Sequence, residues 1–236
     1  MSPPVIMTRR FYCPQSFEAP TLTLGGPEAH HIQRVLRLGI GDAVTLFDGR
    51  GEEAEARIDA VSPEEIQVTL LSRRRVNLTR PLLTLATAVP KGERFDWLVE
   101  KGTELGVDRL IPLITSRSVV HPGNGKLERL RRTIVEACKQ CGRSELMELC
   151  EPMEWAELLE QEFPEKQVWV ADPAGEPVSN VYGPGSGPTL AIVGPEGGLT
   201  GAELNGAEQA GARRVSLGSR ILRVETAGLV LAALWR

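Results

Sequence analysis

LAIVGPEGGLT, residues 190 to 200, and VSLGSRILRVETA, residues 215 to 227, decide how this chain is read. In each, a short apolar run (Leu190 to Val193, then Val215 to Leu217) passes into a glycine-bearing loop, and the second loop leads into an apolar helix expected over Thr226 to Trp235. The runs read as buried strands, and glycine lets backbone approach a ligand closely. Thr200-Gly201-Ala202-Glu203 is a T-x-x-E capping box, and Ala202, Leu204, Ala207 and Ala210 follow at helical spacing. The unit is therefore strand, loop, helix, strand, loop, helix, with a connection too long for a hairpin; parallel pairing in a buried sheet follows. Two such loops at neighbouring strand ends make a small-molecule pocket.

A glycine loop opening a helix commonly holds phosphate. Here Gly194-Pro195-Glu196-Gly197-Gly198 lacks the Lys-Ser/Thr pair of a P-loop and the G-x-G-x-x-G spacing of a dinucleotide site. Pro195 removes a donor and Glu196 adds negative charge, so an adenosine carrying a sulfonium cation fits better. In the second loop Arg220 and Arg223 flank Ile221 and Leu222, and Glu225 opens the last helix. Either the arginines point donors at an acceptor beside an apolar ring slot, or they are surface caps paired with Glu225 or Glu203.

Outward from these loops the chain alternates: strand 83–89, helix 93–105, strand 110–114, helices 127–141 and 155–161, strand 168–171. This is an α/β pattern with ligands at the carboxyl ends of the strands. Asp172 to Gly175 and Gly183 to Pro188 are loop-forming segments near that edge. Residues 11–71 instead read as short strands (21–24, 43–47, 54–60, 66–71) around one helix, 28–38, with Ile32, Val35, Leu36 and Leu38 on its apolar side. That pattern suggests a small barrel. Arg73 to Pro81 separates the two regimes.

The chain has 236 residues and a formal charge of −4, against a protein that grips nucleic acid by bulk charge alone. Positive charge is nevertheless clustered at Arg9-Arg10, at Arg34 with Arg37, at Arg73-Arg74-Arg75 with Arg80, and from Lys126 to Arg132. Four cysteines do not form a disulfide framework, and Cys138-x-x-Cys141 falls inside a helical stripe with no second pair to complete a metal site. No apolar run is long enough to cross a bilayer and no leader is legible, so a cytoplasmic location is expected.

The paired motifs resemble those of the RsmE family, ribosomal RNA small-subunit uridine-N3 methyltransferases of the SPOUT superfamily. Further similarity lies in Val89-Pro90-Lys91-Gly92, Glu100 to Gly106, Glu136 to Arg143, Arg10-Phe11 and His30 to Arg37, so it spans nearly the whole chain. Lys139 stands where family members often carry Glu. The resemblance implies an α/β protein in which residues 1–75 form a PUA-like RNA-binding β-barrel and residues 76–236 a SPOUT domain with a carboxy-terminal trefoil knot. It implies S-adenosyl-L-methionine as cofactor, held by Gly194, Pro195, Glu196, Gly197, Gly198, Leu217, Gly218, Ile221, Leu222, Thr226 and Ala227. Arg10, Arg34, Arg37, Lys91, Arg94, Lys101 and Arg143 are the implied RNA contacts. Ribosomal RNA or the small ribosomal subunit is the implied partner, with a homodimer and neither membrane nor metal. Methylating a ring nitrogen needs a proton acceptor and hydrogen-bond donors. Arg223 and Arg220 are the expected donors, and Glu196 is either the acceptor or the organiser of its loop. The rival readings are a ribose 2′-O methyltransferase of the same superfamily and a non-catalytic RNA-binding assembly factor.

Overall fold

The protein is seen in a computed structural model that describes residues 9–76, 80–181 and 187–235, the side chain of Asn124 excepted. The expected loop Gly183 to Pro188 lies, as far as residue 186, outside the described residues. Two compact units divide the chain: Met1–Leu78 with Cys138–Leu146, and Thr79–Ala137 with Met147–Arg236.

The first unit is built on β1 (Arg10–Tyr12), β2 (Thr21–Gly25), β3 (Ala43–Phe47), β4 (Glu52–Val61) and β5 (Glu65–Arg75), in the order β1-β3-β4-β5-β2. Among the described residues β1 and β2 remain unpaired edges, so the expected barrel is an open five-stranded sheet. At three residues, β1 has little backbone to offer a closing partner. One face carries the core: Phe11, Leu22, Leu24, Val44, Leu46, Ala56, Ile58, Ile66 and Val68 pack with Ala29, Ile32 and Leu38.

The helix expected over 28–38 is two pieces, α1 (Gly26–His30) and a π-helical turn, His31–Val35. The wide turn changes the phase of the face. Ile32 and Leu38 stay buried, whereas Val35 and Leu36 are 61% and 41% exposed, against the expectation that all four share the apolar side. Arg37 follows in the left-handed region at φ 54°.

A buried charge cluster completes this unit. Arg10 donates from Nη1 to Glu53 Oε1 at 2.6 Å, and from Nη2 to Ser144 Oγ at 3.1 Å and the Arg143 carbonyl at 3.2 Å. Its guanidinium lies 5.0 Å from the Phe47 ring centroid. Glu53 also accepts from Ser144 Oγ and, at 2.7 Å, from Arg74 Nε. Burial pushes the Glu53 carboxyl up, but the hydrogen bonds from Ser144, Arg10 and Arg74 outweigh it and hold the group below its ordinary range.

The second unit is an all-parallel sheet of β6 (Leu83–Ala88), β7 (Arg109–Ile114), β8 (Glu148–Leu149), β9 (Met153–Glu154), β10 (Gln167–Pro177), β11 (Thr189–Val193) and β12 (Arg213–Ser216). Its order is β12-β10-β11-β6-β7-β8, with β9 also on β7. The helices are α2 (Arg94–Glu104), α3 (Asn124–Cys141), α4 (Trp155–Gln161), α5 (Gly201–Gln209) and α6 (Val224–Leu234). Strands β6 and β11 are buried throughout, as a parallel sheet covered on both faces requires. Ala86, Ile111, Leu113, Val170, Leu190 and Ile192 pack with Leu158 of α4 and Ala207 of α5. On the other face a Cβ at Gly228 of α6 would stand 3.2 Å from Leu98 Cδ1 of α2 and 3.3 Å from Leu85 Cδ2 of β6, so glycine sets how closely that helix docks. Its far end is held by Trp235, edge-on to Trp169 at 5.8 Å and donating from Nε1 to the Pro81 carbonyl at 3.3 Å.

Thr200 and Glu203 form the expected reciprocal cap on α5, and Glu203 Oε1 also accepts from the Ser116 N–H at 2.9 Å. The stripe expected on α5 is narrower than its spacing suggests: Ala207 is buried and Leu204 half-buried, but Ala202 and Ala210 are exposed.

Candidate functional site

The two glycine loops line one cleft of about 310 Å³. Their strands are not neighbours, contrary to expectation, because β10 lies between β11 and β12. The middle of β10, where its pairing with β12 breaks after Ala171, therefore supplies part of the lining, Ala171, Asp172 and Pro173. Gly194, Pro195, Glu196, Gly197, Gly198, Leu217, Gly218, Arg220, Ile221, Leu222 and Ala227, all singled out in the sequence, are among its walls. Val193, Leu199, Leu204 and Val224 add an apolar lining that the motif reading did not include.

Local geometry explains why glycine stands where it does. The first loop closes with the Gly198 N–H donating to the Pro195 carbonyl at 2.8 Å, and Gly198 has φ 70°, a conformation that side chains with a Cβ resist. A Cβ on Gly194 would come within 2.9 Å of Leu199 Cγ. Arg117, which no motif marked, braces the turn by donating to the Gly197 carbonyl at 2.7 Å. Among the described residues the Glu196 carboxylate is half-exposed and has Arg94 Nη1, at 3.5 Å, as its partner and not a backbone N–H of its loop.

Beyond the cleft, and sharing Ile221 and Leu222 with it, is a more open hollow of about 530 Å³ lined by Arg94, Trp97, Arg223, Glu225 and Thr226. Thr226 thus borders this hollow and is absent from the cleft lining. Arg220 and Arg223 are exposed, and among the described residues neither guanidinium has a carboxylate partner, so the surface-cap reading of the pair is not what the structure contains. The partner of Glu225 is Arg94, its Nε 4.0 Å from Oε1.

Arg94, Trp97 and Lys101 follow one another at helical spacing along α2. Trp97 was missed in the sequence, although its place three residues after Arg94 puts it on the same helical face. It is 47% exposed, unusual for so large an apolar side chain, as is Ile221 at 88%. Lys101 donates to Glu100 at 2.8 Å and Glu104 at 2.7 Å, hydrogen bonds that push its ammonium upward. Lys91 is exposed ahead of α2.

In the first unit the implied RNA contacts part ways. Arg34 and Arg37 are exposed and line a hollow of about 410 Å³ with Gln33, Val61 and Pro63. Arg10 is buried and its two terminal nitrogens are engaged, so it is a packing and charge-pairing group and not an RNA contact. Arg143, half-buried, offers its carbonyl to Arg10. Lys139 lies 3.1 Å from Glu28 and 3.3 Å from His31 Nδ1.

The chain matches the profile of an RNA methyltransferase domain over residues 78–236 and that of an RNA methyltransferase PUA domain over residues 24–71. It is thus a PUA domain joined to an α/β methyltransferase fold. Ribosomal RNA small subunit methyltransferase E of Bacillus subtilis is 32% identical over 225 residues, covering 90% of this chain and 88% of its own. The Synechocystis protein of that name is 34% identical, covering 97% and 77%. Among solved structures, ribosomal RNA small subunit methyltransferase E of Neisseria gonorrhoeae, bound to S-adenosyl methionine, is 31% identical with a TM-score of 0.88 over 96% of this chain and 95% of its own. A methyltransferase from Legionella pneumophila, also in complex with its cofactor, is 32% identical with a TM-score of 0.86 over 97% and 96%. The chain belongs to the ribosomal RNA small subunit methyltransferase E family.

Proposed function

We propose that this protein transfers a methyl group from S-adenosyl-L-methionine to N3 of a uridine in small-subunit ribosomal RNA. The observation that carries this reading is the cleft between the two glycine loops, which shares Ile221 and Leu222 with an adjoining hollow that holds a free arginine, Arg223. The cofactor fits the cleft: apolar walls suit an adenine, glycine leaves backbone polar groups reachable, and the Glu196 carboxylate at the rim suits a cation better than a phosphate. When bound, it supplies an electrophilic methyl group.

This chain's residues do the rest. Gly194 to Gly198, Leu217 to Leu222 and Ala227 would hold the cofactor, and Arg223 donates to a uracil carbonyl oxygen, where negative charge gathers as N3 loses its proton, with Arg220 placed for the neighbouring phosphate. Arg34, Arg37, Lys91 and Arg94 meet the RNA. The relatives' ribosomal RNA names support this substrate and, with it, a cytoplasmic protein. No helix among the described residues is long and apolar enough to cross a membrane.

A trefoil knot in the SPOUT manner and a homodimer belong to the same proposal. Val215 pairs with both Ala171 and Glu176 across the excursion 172–175, and an ideal Cβ on Gly175 would lie 2.5 Å from the Arg214 carbonyl carbon. So close a passage of the carboxy-terminal segment against the β10 loop is what threading would need.

The test is to incubate the full chain with S-adenosylmethionine and small ribosomal subunits lacking the modification, then analyse the nucleosides by mass spectrometry. 3-Methyluridine is expected. Methylated ribose without a methylated base would contradict the reading.

A further inference from the structure

We infer that Glu225 takes the N3 proton of the target uracil, in a base subsite formed by Arg94, Trp97, Arg223 and Glu225. The inference rests on the function proposed above and names a group that the sequence motifs left unassigned.

Glu225 is 6% exposed, yet among the described residues its Oε2 is a buried oxygen with no hydrogen-bond partner, and Oε1 has only Arg94 at 4.0 Å, beyond hydrogen-bond reach. A buried carboxylate left this way is costly and calls for a donor. The residue lines the open hollow, and the broad terminal torsion of glutamate lets either oxygen turn toward it. Glu196, by contrast, is half-exposed, lines the cofactor cleft and has its carboxylate 3.5 Å from Arg94 Nη1, so its charge already has a partner.

The set of groups matches one base. Uracil presents acceptor, donor, acceptor along O4, N3–H and O2, and the hollow presents donor, acceptor, donor in Arg94, Glu225 and Arg223. Cytosine, with an acceptor at N3, would set a lone pair against the carboxylate. Trp97, half-exposed on the same hollow, offers the base a face to stack on. In the reaction the N3–H bond breaks and its proton passes to Glu225. The electron pair left on N3 forms the bond to the methyl carbon, and the pair of the breaking carbon–sulfur bond stays on sulfur. The carboxylic acid so formed returns its proton to water.

The experiment compares the parent protein with Glu225→Gln, which keeps shape and removes the base. Turnover on small subunits should fall by about 10²- to 10⁴-fold, while the calorimetric affinity for S-adenosylmethionine and the melting temperature stay at parental values. The residual rate should climb steadily with pH as the uracil ionises unaided. Subunits carrying 5-fluorouridine, whose N3–H is more acidic, should restore the variant far more than they accelerate the parent. Parental turnover in the variant, or an equal response of both proteins to 5-fluorouridine, would overturn the assignment. Should Glu225→Gln fail to fold, Glu225→Asp, which draws the carboxylate back by one methylene, carries the same comparison with the same two outcomes. A parent that binds the cofactor and makes no 3-methyluridine would sink the proposed function instead.

Discussion

Arg10 and Arg223 are the same residue type put to opposite uses. Arg10 is buried against Phe47, with its charge matched by Glu53 and its two terminal nitrogens engaged by Glu53, Ser144 and a carbonyl. Arg223 is exposed in a hollow, with no ion-pair partner among the described residues. A guanidinium that has spent its hydrogen bonds inside the protein holds the protein together. One whose donors still face solvent is free for a ligand. Sequence motifs grouped both as functional arginines, and local environment is what separates them.

Removing each arginine should break this contrast if it is wrong. Arg10→Ala leaves Glu53 buried without its main counter-charge, which costs on the order of 3–5 kcal/mol; chemical denaturation should show it in the first unit. Replacing both Arg10 and Glu53 with apolar residues of similar volume should recover much of that loss, and failure to recover would mean that the pair does more than balance itself. Arg223→Ala should leave the melting temperature near its parental value and lower turnover by about 10²- to 10³-fold, the scale for losing one preorganised donor to a developing oxyanion. A large loss of stability in Arg223→Ala would place it with Arg10.

Acidification sharpens the comparison further. Because the Glu53 carboxyl is lowered in the folded protein, its contribution to stability is present above its unfolded value, about 4.3, and is lost as pH falls through the folded value. Glu203 is lowered as well: burial raises it, but hydrogen bonds from Ser116 and Thr200 outweigh the burial. Stability should therefore decline with falling pH below about 4.3, and Glu53→Gln should flatten that decline. The smallest effect is expected at the α5 cap, where Thr200→Ala should cost about 1 kcal/mol in thermal unfolding.

Much of the second unit was legible because its signals are local. The buried runs of β6 and β11, the capping box at Thr200 and the glycine loops each declare themselves within a few residues. Less legible was whatever depends on pairing across the chain. The position of β10 between the two loop-bearing strands, and with it the part played by Asp172 and Pro173 in the cleft, follows from strand order, which periodicity does not encode. The π-helical turn at His31–Val35 was invisible because its apolar residues match an ordinary helix until the extra residue in the turn rotates Val35 and Leu36 outward. Trp97 and Glu225 carried a weaker sign. Their importance lies in one being exposed and the other buried, which spacing alone does not reveal.

The most direct test of the account is a crystal structure of the full chain with S-adenosylhomocysteine. The adenosine should lie between Gly194–Gly198 and Leu217–Leu222, with the sulfur directed toward the hollow that holds Arg223 and Glu225. Ligand bound elsewhere, with those two loops in contact with nothing but protein and solvent, would contradict it.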